Sequence, residues 1–276
     1  MISRIGIAAM ILLAAPILGE TKAEEQVISN NAPRPRVAVA AAKTTPTLTA
    51  TPDDPAWADA APIPLNTLSL SRTPSPTAPI PGTEIRLLWA PDWLYVRFLC
   101  KDDQTYLPSH QPGEPVFHGD AVEIFLDPVG DCREWIEVEI NAKNEVYDQI
   151  TLCTGEPKWD RSLRLTDDCI AREIWVLPNG ALKNLRTAAA PWKVNGQTVG
   201  WIVDAAIPAP EFLKRTGLKR FHTMTLRGDF LRYKSIPRAS GTGRDLLSLT
   251  WSPMVLGIPH RCPAAFGFIN LSAPTP

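Results

Sequence analysis

The sequence predicts an all-β chain: a two-sheet antiparallel β-sandwich of jelly-roll type with one short helix. Three observations carry this reading. Runs in which apolar and polar residues alternate with period two recur along the chain, roughly ten of them, bounded by turn residues. The 28 prolines among 276 residues suit short strands joined by rigid turns and interrupt long helices. Only "APEFLKRT" reads as a helix, a short one, because Pro208 and Pro210 open a compact apolar and basic turn.

Residues 1–23 read as a secretory signal. Arg4 supplies the positive start, Ile5 to Leu18 form an apolar run too short to span a bilayer comfortably, and Thr21 and Ala23 bracket a cleavage site. An uncleaved membrane anchor is the alternative. Export predicts a secreted or periplasmic protein with no membrane attachment after cleavage. Residues 24–50 are rich in Ala, Pro and Thr without an amphipathic period, and read as a disordered linker. The folded module is therefore expected over 51–276, with Trp57 packing back as an anchor. "SRTPSPTAPIPGT" reads as a surface loop.

The β pattern begins with "IRLLWA" and "WLYVRFLCK", joined at Pro91 and Asp92. In the second run Leu94, Val96, Phe98 and Cys100 alternate against Tyr95, Arg97, Leu99 and Lys101. "AVEIFLD" sets Val122, Ile124 and Leu126 against Glu123, Phe125 and Asp127. "WIEVEIN" sets Ile136, Val138 and Ile140 inward and Trp135, Glu137, Glu139 and Asn141 outward. "EVYDQI" completes a hairpin, and 153–179 reads as irregular. "GALKNLRTAAA" and "TVGWIVDAAIP" pair around Asn195-Gly196. "TMTLRGDFLRYK", "LLSLTW" and "FGFINLS" supply the last strands. Trp89 and Trp201 read as core. Trp135, outward by parity, and Trp159 could each extend a ring platform or anchor a loop.

Composition narrows the function. The 28 Lys and Arg against 29 Asp and Glu leave no basic surplus, which argues against nucleic acid as a partner. No Gly-rich phosphate loop, nucleophile elbow or HExxH is present. Cys100, Cys132, Cys153, Cys169 and Cys262 are odd in number, so at least one is unpaired within the chain. Cys153 and Cys169 could close a loop, and none has zinc spacing.

The segments "TPDDPAWADA", "RLLWAPDWLYVRFLCKD", "HGDAVEIFLDP", "EVEINAKNEVYD", "GWIVDAAIP", "RGDFLRYK" and "AFGFINL" occur in the order typical of family 9 carbohydrate-binding modules, which the chain resembles from Thr51 onward. The family is close in fold to DOMON-type haem and sugar domains. The resemblance implies a β-sandwich that binds sugar and often accompanies polysaccharide-degrading enzymes, with xylan, cellulose or related glycans as partners. It implies a ring at Phe117, where the family usually has tryptophan, six residues before the carboxylate of Glu123. It implies a second ring in the loop from Trp251 to His260, and a polar strand carrying Arg227, Asp229 and Arg232.

The residues support that chemistry independently. Sugars present apolar C–H faces to rings and hydroxyls to charged groups. Arg97 and Glu137 or Glu139 could share the face of Glu123 on neighbouring strands. For Glu137 and Glu139 the favoured reading is a solvated salt-bridge ladder. Independent glycosidase activity would need two carboxylates about 5–5.5 Å or 6.5–9.5 Å apart, and the expectation is binding without catalysis. No cofactor is required. Calcium is possible at Asp102, Asp103 or Asp120 with loop carbonyls. Haem is the remaining class, through Met224, Met254, His222 or His260.

Overall fold

The computed structural model describes residues 34–65, 67–68, 82–153, 174–178, 180–238, 241–252 and 263–273. Its strands in chain order are β1 (Arg36–Ala41), β2 (Ile63–Pro64), β3 (Thr67–Leu68), β4 (Thr83–Ala90), β5 (Trp93–Lys101), β6 (Ala121–Asp127) and β7 (Glu134–Asn141). They continue with β8 (Val146–Cys153), β9 (Ile174–Pro178), β10 (Arg186–Val194), β11 (Gln197–Pro208), β12 (Thr225–Pro237), β13 (Arg244–Thr250) and β14 (Gly267–Leu271). Among the described residues the one α-helix, α1 (Ala209–Phe212), lies where "APEFLKRT" predicts it.

Two layers form the sandwich. In the first, β9, β8, β7, β6 and β12 are neighbours. The far edge of β12 is shared, by β14 along Thr225 to Gly228 and by β13 along Leu231 to Pro237. In the second, β10, β11, β5 and β4 are neighbours, with β2 on β4. Alternation decides what lies between the layers. Val96 and Phe98 of β5, Val122 and Ile124 of β6, Val138 of β7 and Phe230 of β12 meet in one buried cluster. Each such side chain contributes about 1.5–3 kcal/mol by leaving water. Trp89 and Trp201 join this core as expected.

The turns follow their residues. Asn195 and Gly196 have φ of 51° and 81°, the positive pair that a two-residue hairpin requires. The Asp54 carboxylate accepts the Ala56 amide and caps a 3-10 turn, Pro55–Trp57. That turn seats Trp57 with Leu88, Tyr95 and Ala206 on the outer side of the second layer, the anchoring role expected of it.

Three features depart from the sequence reading. Residues 36–41, inside the stretch read as linker, form β1. β1 runs parallel to both β14 and β4, so the sandwich is mixed rather than wholly antiparallel. The stretch 153–179 contains β9, which pairs with β8. Among the described residues no helix is long and apolar enough to cross a membrane. His222 is exposed and Met224 packs partly buried against the core. Met254, His260, Trp159, Cys169, Cys262 and the 1–23 segment lie outside the described residues.

Candidate functional site

Because Val122 and Ile124 fill the interior, Glu123 points to the opposite face of the first layer. Register does the rest. Glu123 stands across from Glu139, Phe125 across from Glu137, and Glu137 across from Gln149. Glu123, Glu137 and Glu139 thus converge, with one oxygen of each lying within 4.8 Å of the others. Each of the three residues is only 2% exposed. The solvated ladder expected for Glu137 and Glu139 is therefore corrected. Parity placed them outward, but the chain around Val116 and Phe117 lies over them. Both of those backbone amides donate to Glu139 Oε2, at 2.6 and 3.0 Å.

Burial, and then the adjacent Glu137 carboxylate, push Glu139 up to about 9. At neutral pH it holds a proton. Gln149 donates to Glu137 Oε2 and accepts from the Tyr147 hydroxyl at 2.8 Å. Glu139 is also hydrogen-bonded to Glu137, so the trio forms an internally bonded acid cluster beneath the Val116–Phe117 segment.

A second apolar cluster flanks the acids on the same face. It includes Phe125, Trp135, Leu231, Tyr233 and Phe266, with Phe117 packed against it. Trp135 is fully buried there, so it is no exposed platform. Phe117 is half-buried, its ring 6.1 Å from Tyr233 and 4.2 Å from the exposed His118 ring. Phe117 and Glu123 are thus brought to one place, linked through Glu139.

The other expected site residues are placed differently. Arg97 sits in the second layer, where its guanidinium holds Asp204 in two bonds of 2.7 and 2.9 Å and lies over the Trp57 ring. It does not share the face of Glu123, because β5 pairs with β4 and β11 rather than with β6. Arg232 pairs with Val122 and so points inward. It donates to Thr83 Oγ1, the Lys101 carbonyl and Asp102 Oδ2, tying the layers together. Trp251 packs on Phe230, 5.6 Å between centroids, and lies against Gly267, so it extends the main core. His260 is outside the described residues.

Asp229 is fully buried, accepting from the Phe230 and Ser252 amides and from Thr250 Oγ1. Burial pushes it up to about 7. Arg227 donates to the carbonyls of Ala264 and Phe266. Both are fixing groups for the closing segment.

Calcium at Asp102, Asp103 and Asp120 does not fit the residues present. Asp103 is exposed. Asp102 and Asp120 instead share the Lys234 ammonium, at 2.9 and 2.7 Å, and Asp102 also receives Arg232.

Fold and site together define a class: a two-layer β module whose outer face carries a sheltered acid cluster edged by an aromatic ring. Residues 50–158 match the family described as Carbohydrate family 9 binding domain-like, which shows the resemblance for the segment holding Phe117, Glu123, Glu137 and Glu139. A Bacteroides uniformis protein described as carbohydrate-binding shares the fold at 16% identity and a TM-score of 0.61, over 87% of this chain and 100% of that one. A family 9 module from Caldicellulosiruptor kristjanssonii, solved with cellotriose, aligns at 16% identity and 0.57, over 87% and 95%. The same kind of module solved with glucose aligns at 18% and 0.53, over 87% and 97%. No curated protein matches the chain.

Proposed function

We propose that this protein is a secreted, non-catalytic carbohydrate-binding protein that takes sugars or polysaccharide chain ends at the Phe117–Glu123 edge of its outer face. The observation that carries the reading is the juxtaposition of the half-buried Phe117 ring with the acid trio through the Phe117 amide and Glu139. The ring accepts the C–H face of a pyranose, and the proton-sharing acids meet its hydroxyls. The structures solved with cellotriose and glucose support glucans as the first ligands to try. A place beside polysaccharide-degrading enzymes follows from the same resemblance.

Titration calorimetry with cellotriose, glucose and xylo-oligosaccharides, preceded by a glycan array, tests this. Binding by the wild type, lost in Phe117→Ala and Glu123→Gln, is expected. A wild type that binds no glycan on the array or in the calorimeter overturns it. One observation favours a second reading, an extracytoplasmic interaction module of the same fold without a sugar: Glu123 is only 2% exposed. A blank array together with capture of a protein partner would select that reading.

A further inference from the structure

Lys234 is placed unusually for a lysine. It follows Arg232 by two residues on β12, so both side chains point between the layers. Its ammonium meets three oxygens: Asp102 Oδ1 at 2.9 Å, Asp120 Oδ2 at 2.7 Å and the Gln104 carbonyl at 2.6 Å. Those ligands come from different places in the fold. Asp102 and Gln104 follow β5 in the second layer, and Asp120 precedes β6 in the first. The side chain is 9% exposed.

Two carboxylates and a backbone carbonyl converging on one point form the donor set of a hard divalent cation. Here an ammonium occupies that point, its three N–H bonds matched by three acceptors. The remaining carboxylate oxygens are committed as well. Asp102 Oδ2 receives Arg232 and the Trp201 indole, and Asp120 Oδ1 receives the Ser235 amide at 2.6 Å. Charge is balanced too: Asp102 and Asp120 face Arg232 and Lys234, two against two. A divalent ion added to this set would leave buried positive charge uncompensated.

We propose that Lys234 is a built-in cation, filling an oxygen-lined seat that joins the two layers and making the fold independent of divalent metal. Removing the ammonium would leave Asp102 and Asp120 facing Arg232 alone, one buried negative charge in excess, and turn the seat into a calcium site. An ion has a way in. A cavity of about 490 Å³, lined by Lys101, Asp103, Gln104, Ser235 and Arg244 among others, opens onto Asp102 and Lys234.

The test is thermal unfolding of the full chain in EDTA and in millimolar calcium, for wild type, Lys234→Ser and Asp102→Asn, with calcium titration calorimetry alongside. The expected result is a wild-type midpoint that is the same in both media. Lys234→Ser should melt lower in EDTA, recover in calcium, and bind one calcium per chain. A wild-type midpoint that falls in EDTA and recovers with calcium, a response absent from Asp102→Asn, overturns the proposal. So does a folded Lys234→Ser protein indifferent to calcium. Should Lys234→Ser fail to fold in both media, the wild-type and Asp102→Asn arms still decide.

Discussion

Glu123 and Glu139 stand directly opposite each other on adjacent antiparallel strands, both almost wholly buried, where like charges repel at short range. The pair persists because Glu139 keeps its proton and because two backbone amides hold its Oε2. A site of this kind records its state in the pH dependence of the fold.

Stability should fall as pH rises between about 4.5 and about 9. Glu139 titrates near 4.5 when free and at about 9 in the fold. Across that window the native state retains a proton that the unfolded chain has released, so each increase in pH favours unfolding. Asp229, raised from 3.8 to about 7, acts in the same direction. Melting curves of wild type and Glu139→Gln over this range check the claim. The variant should show the shallower slope, and parallel curves would rule Glu139 out as the source.

Replacing Arg97 by Met should cost about 3–5 kcal/mol, since Asp204 would be left as a buried charge without its partner. Denaturant unfolding measures that loss. Glycan affinity of the folded fraction should not change, because Arg97 belongs to the opposite layer.

Phe117→Trp should tighten glucan binding by a few-fold to tenfold, in line with about 0.5–1.5 kcal/mol for ring contacts. Calorimetry reads it directly. An unchanged affinity would place the sugar elsewhere.

Gly267→Ala should destabilise by about 1–3 kcal/mol through overpacking. A Cβ there would stand 2.6 Å from the Trp251 ring and 2.9 Å from the Pro35 carbonyl. A thermal midpoint equal to wild type would contradict the packing described for Trp251.

A chain beginning at Thr51 lacks β1, and with it the cover over the edges of β14 and β4. Unpaired edges recruit other chains. Such a truncation should melt lower and aggregate, whereas one beginning at Pro33 should not; light scattering on the two purified chains distinguishes them.

Much of this architecture is legible in the sequence because alternation reports burial directly. Val122, Ile124 and Val138 are inward by pattern and inward in the fold. Alternation says nothing, however, about what lies over the other side. Glu137 and Glu139 are outward by pattern yet buried, and the segment that holds Glu139, Val116 and Phe117, comes from a loop without periodicity. Arg232 was misplaced for a related reason. A polar strand motif groups it with Arg227 and Asp229, yet an odd separation sends it to the other face. β1 was missed because "RVAVAA" has small residues and no polar alternation, as suits a strand with neighbours on both edges. Glu139 could have been found by pairing the two acidic strands about their hairpin, which sets it opposite Glu123.

The parallel seam between β1 and β14 has a kinetic corollary. Residues 42–266 lie between the two partners, so their loop closes late and at high entropic cost. As the chain emerges from synthesis, the hairpins from β4 to β8 can assemble early, while the first strand waits for the last. The second layer thus keeps an open β4 edge until β14 has been made, and that edge is the one most exposed to wrong pairing during folding.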